Sequence, residues 1–154
     1  MLKRDYQSQN CSIARTLELV GERWTLLIIR DAFRGLHRFD EFQANLGIAT
    51  NVLASRLERL VDAGIFERVR YQERPDRYEY HLTPSGRELR VALIGLMHWG
   101  DKHLAPNGPP VTLVHDACGG TEITSRLVCN ECGMLPPNEV LHSVPGPGAH
   151  RATS

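Results

Sequence analysis

The spacing of apolar residues changes period along this chain, and this change constrains the fold more than any other feature. Apolar residues recur every three or four positions up to Gly64, as in amphipathic helices, and at every second position in two runs between Phe66 and Leu82, as in half-buried strands. The segment 72–77 separates these runs and contains a Pro-Asp pair, which is typical of a turn. The pattern predicts an α+β fold in which helices flank a β-hairpin with a charged tip.

Glycines mark the ends of the predicted helices. Gly21 separates the first two, which share an apolar face formed by Leu17, Val20, Trp24, Leu27 and Ile28. The third and fourth are predicted over 38–46 and about 50–63, and each stops at a following glycine. After the hairpin, Thr83 and Pro84 are residues that begin helices, and this last helix is expected to reach His103 or Leu104.

The predicted domain organisation is a winged helix-turn-helix domain followed by a small β-rich appendage. The domain spans residues 1–105, a Pro- and Gly-rich linker spans 106–110, the appendage spans 111–144, and a disordered tail spans 145–154. The β-type pieces expected in the appendage are Val111–Val114, Ser125–Cys129 and Val140–Val144. No internal repeat is present in the sequence.

Composition restricts the class of protein. The chain has 154 residues and a formal net charge of zero, so its overall charge indicates no acidic partner. No stretch approaches the roughly 18 to 20 apolar residues of a spanning helix, and the N-terminus lacks the apolar block of a signal peptide. We therefore expect a soluble, cytoplasmic protein with no membrane partner. All basic residues except Lys3 and Lys102 are arginine, which suits phosphate and guanine but also follows from GC-rich codon usage.

The fourth predicted helix has the composition of a DNA recognition helix. Its leucines form an inward stripe, and the remaining face is small, polar and cationic, as the major groove requires. That face comprises Thr50, Asn51, Ala54, Ser55, Arg56 and Arg59. Asn51 can pair with adenine and Arg56 with guanine or a phosphate, and the first turn carries no acid that would repel phosphates.

Further arginines are candidates for DNA backbone contacts. Arg38 opens the third helix, and Arg74 and Arg77 lie at the hairpin tip, where they can reach the minor groove or its phosphates. Glu73 and Asp76 reduce the positive charge of this tip. The alternative interpretation is a winged-helix scaffold that binds protein and not DNA.

The same part of the chain resembles the HxlR-type family of bacterial transcriptional regulators, over about residues 8–104. The most distinctive stretch is G-x-x-W-T-L-L-I-x-R, which begins at Gly21. The other matching residues are Cys11, Ile13, Leu17, Val20, Arg38, Phe39, Leu53 to Leu57, Leu60, Gly64, Pro75, Tyr80 to Thr83 and Gly86. The resemblance implies a homodimeric winged helix on a pseudo-palindromic double-stranded operator, with Thr50, Asn51, Ser55 and Arg56 on the recognition helix and Arg38 and Arg77 at the DNA backbone.

A homodimer is also expected on physical grounds, because one recognition helix makes too few contacts for operator affinity. The long last helix, with Met97 and Trp99, and the segment around Tyr6 to Leu17 are the predicted interface. In the alternative interpretation, Met97 and Trp99 only cover the core of a monomer. The expected activity is that of a repressor that responds to a small-molecule effector or to a redox or electrophile signal.

Cys11 is the candidate sensor of that signal. It matches the position of a cysteine that lies near the start of the first helix in the family, and that senses oxidants or electrophiles in some members. A helix N-terminus favours the reactive thiolate form of a cysteine. A buried and inert packing cysteine is the alternative.

The predicted appendage contains a metal-binding pattern. His115 and Cys118 form one pair, Cys129 and Cys132 form another, and both pairs have the two-residue spacing of zinc knuckles. The pattern resembles a zinc ribbon and predicts one structural Zn per chain, with His142 as a weaker substitute ligand. Free thiols or a disulfide are the alternatives. A zinc deaminase is not expected, because Val128 replaces the proline of that motif and no glutamate occupies the position of the general acid/base.

Overall fold

The computed structural model describes residues 10–149, and its N-terminal part is a winged-helix fold of the α+β class. The helices are α1 (Ser12–Val20), α2 (Thr25–Phe33), α3 (Phe39–Leu46), α4 (Thr50–Asp62), α5 (Pro84–Glu88) and α6 (Arg90–Leu104). The strands are β1 (Phe66–Glu73), β2 (Asp76–Leu82), β3 (Val114–His115), β4 (Thr121–Glu122), β5 (Val128–Cys129) and β6 (Gly133–Met134). The described residues form two compact units that divide between Arg90 and Val91, whereas the sequence placed the end of the first domain at residue 105.

The core of the first unit lies between α2, α3, α4 and the hairpin. Its fully buried side chains include Ile28 and Ile29 of α2, Phe42 of α3 and Phe66 of β1, and the rings of Phe42 and Phe66 meet edge to face at 6.4 Å. Each helix contributes an apolar stripe at the three-and-four spacing seen in the sequence. The predicted helix order is therefore confirmed within the described residues.

A buried carboxylate joins α2 to α3. The side chain of Asp31 is fully buried and accepts hydrogen bonds from the Arg30 guanidinium at 2.9 Å and from the Asn45 amide at 2.7 Å. A buried charge of this kind is tolerated only when it is paired. Asp31 therefore fixes the end of α3 against α2, which sets the position of the helix that follows.

The hairpin of β1 and β2 is longer than the sequence indicated. The antiparallel ladder continues past a bulge near Tyr71 and pairs Gln72 with Arg77 and Glu73 with Asp76. Only Arg74 and Pro75 remain in the turn, so the six-residue turn predicted over 72–77 is wrong. The charged residues beside the turn can extend the ladder because their side chains stay in solvent while their backbone groups pair.

The predicted long last helix is divided into α5 and α6. The Thr83 hydroxyl caps α5 by accepting from the Gly86 N–H at 3.1 Å, as its sequence position predicted. A Cβ on Gly86 would collide with the Ile65 carbonyl oxygen, so the absence of a side chain allows α5 to lie against the end of the hairpin. The Leu89 N–H then bonds to Gly86 three residues back, which tightens the turn and separates α5 from α6.

The second unit contains most of α6 and two small antiparallel hairpins. β3 pairs with β4 and β5 pairs with β6, each through only two residue pairs. The strand expected over Val140–Val144 is wrong, because these residues form no ladder in the structure. Ser125 lies between the hairpins and donates its N–H to Nδ1 of His98 on α6 at 3.1 Å. None of the helices within residues 10–149 is long and apolar enough to cross a membrane.

Candidate DNA-binding surface

Helices α3 and α4 form the helix-turn-helix, and a side-chain hydrogen bond fixes the turn between them. The Gln43 amide of α3 donates to the hydroxyl of Thr50, the first residue of α4, at 2.7 Å. The start of α3 is fixed by Glu41, whose carboxylate accepts from the backbone N–H groups of His37 and Arg38 at 2.9 Å each. These bonds to the charged form lower the pKa of Glu41.

The outer face of α4 has the composition that major-groove contact requires. Leu53, Leu57 and Leu60 are buried, which fixes the rotation of the helix about its axis. The exposed residues of the first two turns are then Thr50, Asn51, Ala54 and Ser55, which we call the recognition surface. Its small side chains would let the helix backbone approach base edges closely, and Asn51 supplies an amide suited to adenine. Glu58 is also exposed, one turn further along, and limits the positive charge of that end.

Arg56 and Arg59 lie on the flank of α4, where an acidic residue from the α1–α2 junction holds them. The Glu22 carboxylate forms an ion pair with Arg56 and a second one with Arg59 at 2.9 Å. Arg59 also donates to the Glu18 carbonyl oxygen at 2.9 Å, and the Arg56 side chain is only 19% exposed. Both predicted DNA-binding arginines are therefore next to the recognition surface, but their guanidinium groups already have partners inside the protein.

Arg38 bridges α3 and the hairpin. Its Nε donates to the Glu79 carboxylate of β2 at 3.1 Å, and its guanidinium carbon lies 4.5 Å from the centre of the Tyr71 ring. The hydrogen bond from Arg38 lowers the pKa of Glu79, and the hydrogen bond with His81 lowers it further. The hydrogen bond to Glu79 in turn raises the pKa of Arg38. About half of the Arg38 side chain stays exposed, so it can still contact a phosphate.

The hairpin tip presents Arg74 and Arg77 to solvent. Arg70 forms ion pairs with Glu73 at 3.5 Å and with Asp76 at 3.4 Å, and so neutralises the two acids that the sequence places beside these arginines. Within the part of the chain that the structure describes, neither Arg74 nor Arg77 takes part in an ion pair. Arg77 also lines an open cleft of about 400 Å³ with Phe39, Tyr71 and Tyr80.

Cys11 and the four metal-ligand candidates lie outside this surface. Cys11 is exposed in the single chain and is the residue immediately before α1. Nδ1 of His115 lies 3.0 Å from Sγ of Cys118, and Cys129 is hydrogen bonded to the N–H groups of Cys132 and Glu131, which lowers the pKa of Cys129. Among residues 10–149, no three His, Cys, Asp or Glu side chains are close enough to hold one metal ion. Tyr6, the start of the predicted N-terminal interface, lies outside the described residues.

Sequence patterns did not reveal the residues that organise the site. Glu22, Gln43 and Glu79 each hold a predicted DNA-contact residue, and their partners lie 34, 7 and 41 positions away. Helical periodicity identifies which face of a helix is buried, but it carries no information about pairs this far apart. The sequence did contain one indication of the role of Glu22. An acid within the motif Gly21 to Arg30 is repelled by DNA phosphates, so it was a candidate partner for an arginine of the protein.

Comparisons with known proteins agree with this geometry. A family model described as HxlR-like helix-turn-helix matches residues 19–108. An uncharacterized HTH-type transcriptional regulator of Mycobacterium tuberculosis, Rv3095, is 49% identical over 138 residues, which cover 89% of this chain and 87% of that protein. This match leaves out only about a tenth of the chain, so it includes most of the C-terminal segment.

Solved structures are similar as well. The structure of PA1607, described as a candidate transcription factor, has a TM-score of 0.79 at 35% identity and covers 90% of this chain and 97% of that one. The redox regulator HypR in its reduced form has a TM-score of 0.58 at 28% identity, covering 62% of this chain and 95% of that one.

The ion pair between Glu22 and Arg56 is expected to couple α4 to the α1–α2 junction. In a double-mutant cycle of Glu22→Gln and Arg56→Met, we expect a coupling energy of about 0.5 to 3 kcal/mol in the free energy of unfolding, because the two side chains are in direct contact. Urea denaturation measures this energy. A cycle of Glu58→Gln with Arg56→Met is the control, since residues two apart on a helix do not face each other. Equal coupling in the two cycles would contradict the assigned pair.

Proposed function

The chain belongs to the HxlR-like helix-turn-helix family, and from this premise we propose that it is a repressor that binds its operator as a homodimer, with α4 in the major groove. The relatives are transcriptional regulators, so the chain is a DNA-binding regulator and not an enzyme. The proposal adds four statements to this function: which residues contact DNA, that the protein is a homodimer, that it represses transcription, and that it responds to a signal. A cytoplasmic location is part of it, because operator DNA lies there.

The observation that carries the DNA-binding proposal is the contrast between the two faces of α4. One face buries three leucines, while the other exposes Asn51, Ala54 and Ser55 without an acid in the first turn. An exposed helix face without acids in its first turn can approach the negatively charged DNA backbone. Asn51 is the proposed base contact, and Thr50 and Ser55 contribute hydroxyl contacts from the same surface.

The arginines around this surface are proposed as positioning contacts to phosphates. Arg38 flanks α3, Arg74 and Arg77 lie on the hairpin, and Arg56 and Arg59 lie on the flank of α4. A guanidinium group has five N–H donors, so an arginine that is paired with a carboxylate can still donate to a phosphate. Glu22 then orients Arg56 and Arg59, and repression follows because a bound dimer excludes the transcription machinery from the operator.

Asn51→Ala is expected to weaken operator binding by about 1 to 3 kcal/mol and to leave binding to random duplex unchanged, because a bidentate base contact is lost. Arg77→Ala should instead weaken binding to both duplexes and reduce the salt slope by about one, because a phosphate contact carries no sequence information. Fluorescence anisotropy at several salt concentrations, on an operator selected from random DNA, measures both effects.

The matched control for this experiment is Asn107→Ala, which removes the same side chain from an exposed position outside α4. If wild-type protein binds no duplex at any salt concentration, the DNA-binding proposal fails and the protein-binding scaffold remains. If Asn51→Ala and Asn107→Ala have the same operator affinity, Asn51 makes no base contact.

Helix α6 supports the homodimer proposal. None of its residues is buried in the described part of a single chain, although its sequence is rich in apolar residues. Leu96 is 55% exposed and Trp99 is 58% exposed, and these residues lie three positions apart on one face of the helix. A second copy of the same helix would remove this face from water and would provide the two-fold partner that a palindromic site requires.

Leu96→Glu is expected to convert a dimer into a monomer, because it places a charge in the proposed apolar interface. Sedimentation velocity gives the mass directly, and operator affinity should fall with the loss of the dimer. Val140→Glu is the control, since Val140 is also apolar and 86% exposed but lies outside α6. A wild-type chain that sediments as a monomer at micromolar concentration would overturn the dimer.

Cys11 supports a redox or electrophile response. Its thiol is exposed immediately before α1, and the similar structure of HypR is that of a redox regulator. Such a position leaves the sulfur accessible to oxidants and alkylating agents. A bulky adduct or a disulfide at Cys11 would displace the start of α1, which lies in the predicted interface, and so alter the dimer.

Treatment with the thiol oxidant diamide in the presence of glutathione is expected to release wild-type protein from its operator and to leave Cys11→Ser bound. Diamide accepts the hydrogens of the Cys11 and glutathione thiols as these join in a mixed disulfide, which serine cannot form. Gel mobility shift measures the bound fraction before and after treatment. Ser12→Ala serves as the comparison, since it changes the exposed residue next to Cys11, keeps every thiol and should retain the response. A Cys11→Ser variant that is still released by diamide would exclude this sensor.

A further inference from the structure

The C-terminal segment folds without a hydrophobic core of its own. From Val111 to Ala149 the structure describes every residue, and none of them is buried. The hairpins β3–β4 and β5–β6 are held by only two residue pairs each. Isolated two-stranded hairpins are marginal in water, and segments of about 40 residues usually need a disulfide, a metal or a partner to stay folded. The segment therefore needs a stabilising element other than apolar burial.

The first hairpin brings together two of the predicted zinc ligands, and we call such a pair a half-site. β3 ends at His115, a short helical turn covers Asp116–Cys118, and the chain returns as β4. Nδ1 of His115 lies 3.0 Å from Sγ of Cys118, so both ligand atoms point to the same place. Gly119 and Gly120 follow with φ of +70° and +80°, a conformation that lets the chain turn back behind the two ligands.

The second hairpin presents a similar half-site. Cys129 ends β5 opposite Gly133 of β6, and Cys132 lies in the turn between them. The N–H groups of Glu131 and Cys132 point at the Cys129 sulfur, and the Cys132 side chain is hydrogen bonded to it. Gly133 has φ of +84°, which repeats the left-handed glycine found immediately after Cys118 in the first hairpin. In the second hairpin the backbone is thus arranged to hold a thiolate at Cys129.

We propose that these two hairpins close on one Zn²⁺ ion held by His115, Cys118, Cys129 and Cys132. Three thiolates and one imidazole are a donor set that zinc binds tetrahedrally and that hard cations such as Mg²⁺ bind poorly. All four positions are taken by the protein, so no coordination site remains for water and the zinc is structural.

The proposal requires the two half-sites to move together, because within residues 10–149 no three such ligands are already gathered. The connecting segment 123–127 is bonded to α6 through Ser125 and His98 but contains no buried residue, so no core packing has to be broken for the half-sites to approach. Zinc binding supplies the free energy that apolar burial does not supply here, since structural zinc sites couple binding to folding. The thiols release their protons on binding, so the affinity for zinc should increase with pH.

The test measures zinc in the full-length chain after incubation with Zn²⁺ under reducing conditions and removal of excess metal. We expect about one zinc ion per chain, and roughly a tenfold or greater loss of zinc affinity in Cys118→Ser and in Cys132→Ser. Cys11→Ser is the matched control and should keep its zinc.

The histidine variants test the imidazole ligand. His115→Ala should weaken zinc binding, while His115→Cys should retain it because a fourth thiolate replaces the imidazole. His142→Ala should behave as wild type.

Two further measurements distinguish loss of a ligand from loss of folding. Co²⁺ in place of Zn²⁺ should give the visible absorption of a tetrahedral thiolate site in the wild-type chain, and a weaker sulfur charge-transfer band in Cys132→Ser. Trypsin should cleave after Arg126, which is exposed between the hairpins, faster in the chelated protein than in the zinc-bound protein.

The proposal is overturned by reduced protein that binds no zinc, or by a Cys118→Ser, Cys132→Ser double variant that keeps it. It is also overturned by a disulfide between Cys129 and Cys132 in protein kept under reducing conditions. Equal zinc loss in His115→Ala and His142→Ala would remove the assigned imidazole ligand.

Discussion

The rotation of α4 about its own axis is the constraint on which the arrangement of the DNA-binding surface depends. Leu53, Leu57 and Leu60 are almost completely buried, and each buried leucine is worth about 1.5 to 3 kcal/mol relative to exposure. Turning the helix enough to bury a neighbouring residue would expose at least one of them. The recognition surface is therefore fixed by packing on the opposite face, and its residues are free to be chosen for DNA.

Glu22 extends this constraint to the flank of the helix. Its carboxylate bonds to both Arg56 and Arg59, which lie one turn apart, and so connects α4 to the α1–α2 junction. Ion pairs at exposed positions contribute little, but Arg56 is mostly buried, where removing one partner leaves an uncompensated charge. Nε of Arg56 has no hydrogen-bond partner within the described residues. Packing and the ion pair with Glu22 therefore hold this side chain, without a complete set of hydrogen bonds.

The spacing of apolar residues allowed the buried faces of the helices to be predicted, but it did not reveal features that depend on backbone hydrogen bonds or on pairs of distant residues. The three-and-four pattern identified the leucines of α4, and Gly21, Gly47 and Gly64 marked three helix ends because each of those ends needs a residue without a side chain or with positive φ. The length of the hairpin and the division of α5 from α6 depend on short-range backbone hydrogen bonds, which the spacing of apolar residues does not encode. The same limit applies to the candidate site, where the exposed face of α4 was predicted and the acids that hold its arginines were not.

The two units of this chain differ in how they obtain stability, and this difference bears on function. The winged helix buries aromatic and branched side chains, and its Asp31 carboxylate is satisfied by Arg30 and Asn45, so it can hold a recognition helix in place alone. In the described part of the second unit no residue is buried, and α6 exposes Leu96 and Trp99. The proposed second chain and the proposed metal ion would each stabilise a unit of that kind. Because a bound partner stabilises the folded state by mass action, the stability of the second unit would then depend on protein concentration and on metal supply.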